Sequence, residues 1–153
     1  MVRLSDLPDV SRQFLIDFDC PVMDGRPWTD GPPLSERRVA IVTTAGLQRR
    51  GDPPFHLGAG SYRVIPGDTA GGDLVMTHAS INFDRSGFQE DVNVAFPIDR
   101  LRELAADGTV GSAGDWHYAF QGSTHPEQMV PAAEKVAGLL KDDGVDSVLL
   151  VGV

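Results

Sequence analysis

The sequence predicts a single α/β domain, a mostly parallel sheet with helices on both faces. Three observations carry this. Residues 39–44 (VAIVTT) and 147–153 (SVLLVGV) are unbroken apolar runs, as strands covered on both faces should be. Residues 97–106 and 126–141 repeat apolar side chains at helical spacing. The second helix, a glycine turn at Gly144 and the last apolar run follow one another, which is the αβ half of a doubly wound unit.

The elements follow in order. Residues 5–18 hold one short helix with Phe14, Leu15 and Phe18 as its apolar stripe. The passage after it, CPVMDGRPWTDGPPLSE, is too rich in proline and glycine for regular pairing. Its Trp28 is expected to anchor the segment by burying its ring. Residues 1–35 thus form an irregular N-terminal arm and 36–153 the domain. The first strand, 39–44, ends at a turn marked by Gly46, and 47–60 is loop. Strands at 61–66 and 74–79 flank the turn-forming PGDTAGGD. Three strands, 39–44, 74–79 and 147–153, are expected to be central and parallel. Pro97 opens the helix 97–106, Ile98, Leu101, Leu104 and Ala105 share a face, and Gly108 stops it. Residues 110–121 read as a strand with Trp116, Tyr118 and Phe120 on one side.

Composition bounds the function. The chain has 153 residues, 41% hydrophobic and 23% charged, an ordinary globular balance. A net charge of −9 repels phosphate backbones, so nucleic acid is not an expected partner. No apolar run reaches the roughly 20 residues of a membrane helix, and the first residues lack a secretory pattern. A single cysteine, Cys20, excludes an internal disulfide. The expectation is a cytoplasmic protein.

Chemistry in open α/β sheets gathers beyond the carboxyl ends of the strands. His78, Asn82 and Asp84 follow one such end. A histidine there can act as acid, base or hydrogen-bond donor, or simply cap the strand. Arg49, Arg50 and Asp52 follow another. Arg50 could hold a substrate carboxylate in a bidentate pair, or be a solvated charge paired with Asp52. Thr43, Thr44 and Gly46 offer hydroxyls and N–H groups but no GxGxxG fingerprint. His78, Asp84 and His117 lack the tight spacing of a metal set, and no metal is expected. Cys20, alone in the arm, reads as a small packed residue rather than a nucleophile.

Several phrases in fixed order resemble one family. They are LSERRVAIVTTAGLQRRGDPPF (34–55), SYRVIPGD (61–68), THASINFDRSGFQEDVNVAFPIDRLRELAADGTVGS (77–112), HYAFQGSTHPEQM (117–129) and LLKDDGVDSVLLVGV (139–153). This pattern is similar to the selenoprotein B family of glycine, sarcosine, betaine and D-proline reductases. The resemblance implies a subunit of a selenocysteine- or cysteine-dependent reductase that cleaves a carbon–nitrogen bond of a small amino-acid-like substrate. It implies other reductase subunits as partners, one bearing a pyruvoyl group, with a homo-oligomer possible. It also implies that the last strand runs into selenocysteine or cysteine. No catalytic residue is then present in the chain itself, and Arg50, His78, Asn82 and Asp84 are its expected substrate-binding residues. An unread selenocysteine codon after Val153 is the expectation, with the 153-residue form inactive. A naturally short, non-catalytic subunit or binding module of the same fold is the alternative.

Overall fold

The computed structural model describes residues 3–17, 19, 22, 25, 27–80 and 83–153. Cys20, Phe18 and Asn82 lie outside the described residues. The elements are α1 (Asp9–Ile16), β1 (Arg38–Thr43), β2 (Leu47–Arg49), β3 (Arg63–Pro66), β4 (Leu74–Met76), α2 (Ser86–Glu90), α3 (Ile98–Ala106), β5 (Ser112–Ala113), β6 (Trp116–Ala119), α4 (Pro126–Asp142) and β7 (Ser147–Val151).

β1 is the axis of the fold. β7 runs parallel along one side of it, from Val39 opposite Ser147 to Thr43 opposite Val151. β5 and β6 run parallel along the other side, end to end. β3 closes that flank antiparallel to β6. Successive β1 side chains enter opposite cores, as the strand period of two requires. Val39 and Ile41 pack with Leu47, Ile65, Phe96 and the α3 residues Ile98 and Leu101. Ala40 and Val42 pack with Tyr118, Phe120 and the α4 residues Val136 and Leu140. Helices therefore cover both faces, and burying a side chain such as Phe96 contributes roughly 1.5–3 kcal/mol.

The α/β architecture is the one the sequence implies, but the sheet is mixed rather than mostly parallel. Residues 74–79 do not join the main sheet. Only Leu74–Met76 form a strand, and it pairs antiparallel with β2 in a separate two-stranded ribbon. A run of three apolar residues carries no signal of which sheet it joins. The expected strand 110–121 is broken at Gly114 and Asp115. A Cβ at Gly114 would stand 3.0 Å from Asp143 Oδ2, which takes the place of a strand partner there. The arm also differs from expectation. Trp28 is 81% exposed and anchors nothing by burial, and Phe14 and Leu15 are more than half exposed. The last strand is similarly open, with Leu149 43% and Leu150 74% exposed. Among the described residues no helix is long and apolar enough to cross a membrane.

Candidate functional site

Parallel alignment of β1, β6 and β7 brings their carboxyl ends to one edge, and the chain segments leaving them are tied together. Thr44 N–H donates to the Val151 carbonyl at 3.0 Å, and Val153 N–H donates to Thr44 Oγ1 at 2.9 Å. Gly122 N–H donates to the Thr44 carbonyl at 2.8 Å. Gly46, at φ +64°, lies so close beneath residue 78 that a Cβ there would stand 2.9 Å from the His78 nitrogen. The loop carrying His78 is thereby pressed against the strand ends.

Gln121 joins the two loops that face each other across this edge. Fully buried, it donates from Nε2 to the Thr77 carbonyl at 3.1 Å. Its Oε1 accepts from the N–H groups of Ala79 and Ser123, each at 3.4 Å. Beneath it, Thr77 Oγ1 bonds Gln48 Oε1 at 2.7 Å and accepts from Phe55 N–H at 3.1 Å. Arg85 reaches back from the start of α2 to the carbonyls of His78 and Ser80, which fixes the loop's outer turn.

Between these loops lies a hollow of about 740 Å³. His78, Ser80, Ser123, Thr124 and His125 give it polar groups, Phe83 and the α1 residues Phe14 and Leu15 an apolar rim, and Val153 reaches its floor. No Asp, Glu, Lys or Arg is among its described lining residues. His78 is 4% exposed, its ring tilted against Phe83 with centroids 5.0 Å apart. Its Nδ1 accepts from the Ser80 N–H at 3.3 Å, so in the neutral ring the proton sits on Nε2. That Nε2 is buried and meets no partner at hydrogen-bond geometry among the described residues, and neither does Ser123 Oγ. Burial, and then the Arg85 charge, push the His78 pKa down, while the Val153 carbonyl opposes them weakly. The ring is therefore a neutral donor at neutral pH.

The other expected residues stand elsewhere. Arg50 lies on the turn after β2, where it donates to the Gly72 carbonyl at 3.3 Å. It lines a separate polar hollow with Arg49, Asp52, Asp68 and Asp73, which shares no residue with the one holding His78. Asp84 is exposed, and its Oδ1 accepts from Ser86 N–H at 2.9 Å in a local turn ahead of α2, which lowers the carboxyl pKa. Thr43 Oγ1 is spent on the Ala95 carbonyl and the Ala45 N–H, and the Gly46 N–H on the Phe120 carbonyl. Gln121 and Ser123 carried no sequence signal beyond following an aromatic strand; Gly122 between them was the available clue. Among the described residues no group of three or more His, Cys, Asp or Glu could hold a metal ion.

Fold and site together define an α/β domain with a hollow beyond the carboxyl ends of parallel strands, its described lining made of polar and apolar side chains without Asp, Glu, Lys or Arg. The chain belongs to the glycine/sarcosine/betaine reductase selenoprotein B family, whose family model matches residues 11–153. It is 35% identical over 120 residues to the D-proline reductase subunit gamma of Acetoanaerobium sticklandii, covering 76% of this chain and 49% of that one. It is 29% identical over 123 residues to the glycine reductase complex component B subunit gamma of Carboxydothermus hydrogenoformans. It is 30% identical over 124 residues to the betaine reductase complex component B subunit beta of Peptoclostridium acidaminophilum. The match spans about half the length of the first relative and 28% of each of the other two. No solved structure matches it.

Proposed function

We propose that this chain builds the substrate pocket of a reductase subunit that cleaves a carbon–nitrogen bond of glycine, betaine, sarcosine or D-proline. The observation that carries the reading is the hollow at the strand ends, with the buried ring of His78 in its lining and the Val153 carbonyl beside that ring. The relatives, subunits of D-proline, glycine and betaine reductases, support the substrate class. In this reading the nucleophile is a selenocysteine or cysteine following Val153, and a partner subunit carries the pyruvoyl group. The residues on this edge fit such a nucleophile. Val153 is held at both N–H and C=O by Thr44 Oγ1. A selenolate or thiolate would supply attack on the substrate's α-carbon, closed by a neighbouring thiol. The chain's own residues shape the hollow: Phe83, Phe14 and Leu15 give it an apolar rim, and His78 lines it as a neutral ring.

The test is co-expression of the full gene product with the other subunits of its complex. Consumption of dithiothreitol is followed with glycine, sarcosine, betaine and D-proline in turn. Turnover with one of the four, lost in a form without the selenium or sulfur residue, is the expected result. Binding of substrate without turnover in any pairing moves the assignment to a non-catalytic module.

A further inference from the structure

We propose that a second hollow, at the amino end of β6, docks another subunit of the assembly through an arginine side chain laid against Trp116 and held by Asp142 and the Tyr118 hydroxyl. This hollow shares no residue with the one at the carboxyl ends of the strands, so the proposal stands apart from the reductase reading.

The inference starts from a phenol. Tyr118 is only 1% exposed, packed edge-on against Tyr62 with ring centroids 6.0 Å apart. Its hydroxyl makes no hydrogen bond among the described residues. Nor is that oxygen sealed in, as His117 Nε2 is, so its free side opens on the hollow that Tyr118 lines. Burial first, then the fields of Asp143, Tyr62 and Asp142, raise the phenol pKa, which sets the hydroxyl on the carboxylate side of the ring. A nearly buried polar group without a partner is a penalty that an occupant can remove by bonding it. A phenol oxygen can accept from an incoming N–H while its proton goes to a carboxylate.

The charges around it name the occupant. The hollow, about 420 Å³, is lined by three carboxylates and by no lysine or arginine. Two of the three are engaged. Asp143 accepts from Arg38 Nη2 and from the Asp115 and Trp116 N–H groups, and Asp115 Oδ1 stands 3.0 Å from the same Arg38 nitrogen. Asp142 is exposed and makes no ion pair or side-chain hydrogen bond among the described residues. Val64, Leu139 and Trp116 give apolar surface beside it. The complement of that lining is a cation on an aliphatic stem. A guanidinium suits it best, since it stacks on an indole while donating to a carboxylate. A free amino acid would bring its own carboxylate against these acids, whereas in a polypeptide that group is lost to the peptide bond. Trp116, 45% exposed, also lines a neighbouring hollow of about 630 Å³ with Gly67 and Arg102, whose guanidinium is taken up by the Gly67 and Thr69 carbonyls. A polypeptide can therefore continue across the indole, and an exposed tryptophan between two hollows is the kind of anchor that carries protein interfaces. A basic partner surface also matches a chain of net charge −9.

The test uses the chain's two tryptophans, Trp116 in the hollow and Trp28 in the arm as internal reference. Indole N–H NMR of the isotope-labelled chain is followed during titration with acetyl-Gly-Arg-Gly-amide, against the same peptide carrying citrulline, an uncharged isostere of arginine. The arginine peptide should shift the Trp116 signal and leave Trp28 in place, and the citrulline peptide should shift neither. Asp142→Asn should weaken binding about tenfold, and Tyr118→Phe, which removes only the hydroxyl, about threefold to tenfold. Asp142 is on the surface, so Asp142→Asn carries the test even where Tyr118→Phe fails to fold. Sedimentation of the co-expressed complex should show looser assembly in both variants, with kcat of the intact complex kept. Equal shifts of Trp116 by the two peptides, or full affinity in Asp142→Asn, overturn the proposal. So does methylguanidinium binding as tightly as the peptide with assembly unchanged, which assigns the hollow to a small cation. Assembly loosened by the variants in a complex that turns over none of the four substrates supports the docking site while the reductase reading fails.

Discussion

At Gly122 the missing side chain is a condition of the site. A Cβ would stand 2.7 Å from the Val153 carbonyl and 2.9 Å from the Thr44 carbonyl, and both are backbone atoms that cannot swing aside. Gly122→Ala should therefore displace the end of β7 or the 122–124 loop and destabilise the protein by about 1–3 kcal/mol. Gly138 is the matched control. It lies inside α4, exposed, with nothing within 4 Å of where its Cβ would be. Gly138→Ala should stabilise by roughly 0.5–1 kcal/mol, because alanine loses less backbone freedom in a helix. Urea unfolding of the two variants checks the pair, and equal effects would mean the Gly122 contact is not a constraint.

At the scale of elements, the break between β5 and β6 needs its backbone groups satisfied from outside the sheet. The C-terminal end of α4 supplies them. Asp143, with a side chain only 6% exposed, accepts from the Asp115 and Trp116 N–H groups at 2.9 and 3.2 Å and from Arg38 Nη2 at 2.6 Å. His117 repairs the other side, its Nδ1 accepting the Ile41 N–H at 3.0 Å where β1 has no strand carbonyl opposite. Asp143→Ala leaves the Asp115 and Trp116 N–H groups without their acceptor, while Arg38 keeps the Asp115 carboxylate and the Ala113 and residue-143 carbonyls, and should cost about 1–3 kcal/mol. Hydrogen exchange should show the Asp115 and Trp116 amides losing protection before the rest of β6, whereas uniform loss would deny Asp143 this local role. This repair explains what the sequence could and could not announce. β1, α3 and α4 are legible because their apolar residues are set by the core they bury, and β7 because its run is apolar throughout, although most of that run is exposed. The break is not, since Gly114, Asp115 and Asp143 read as ordinary turn residues until α4 docks. His78 was legible from its place after a strand; Ser123 and Gln121 were not, because their role arises only when two distant loops face one another.

At the scale of the whole molecule, two buried neutral histidines link folding to pH. Burial, followed by the positive field of Arg102 and Arg38 and opposed by Asp143, lowers the His117 pKa to about 4. His78 moves in the same direction. In the unfolded chain both titrate near about 6.5. As pH falls below that value the unfolded state takes up protons first, so stability is full above about pH 6.5 and declines until about pH 4. His117 alone accounts for a loss on the order of 3 kcal/mol across that window. The helix-capping and turn carboxylates Asp84, Asp91 and Asp107, whose pKa values are lowered from an ordinary 3.8, add their losses only below it. His117→Asn separates the contributions, because Asn Oδ1 can still accept the Ile41 N–H but does not titrate. The variant should be less stable than the parent at pH 7 and yet show a flatter decline from pH 6.5 to 4, measured by urea midpoints at half-unit steps. Parallel curves for parent and variant would show that His117 does not set the acid limit of the fold.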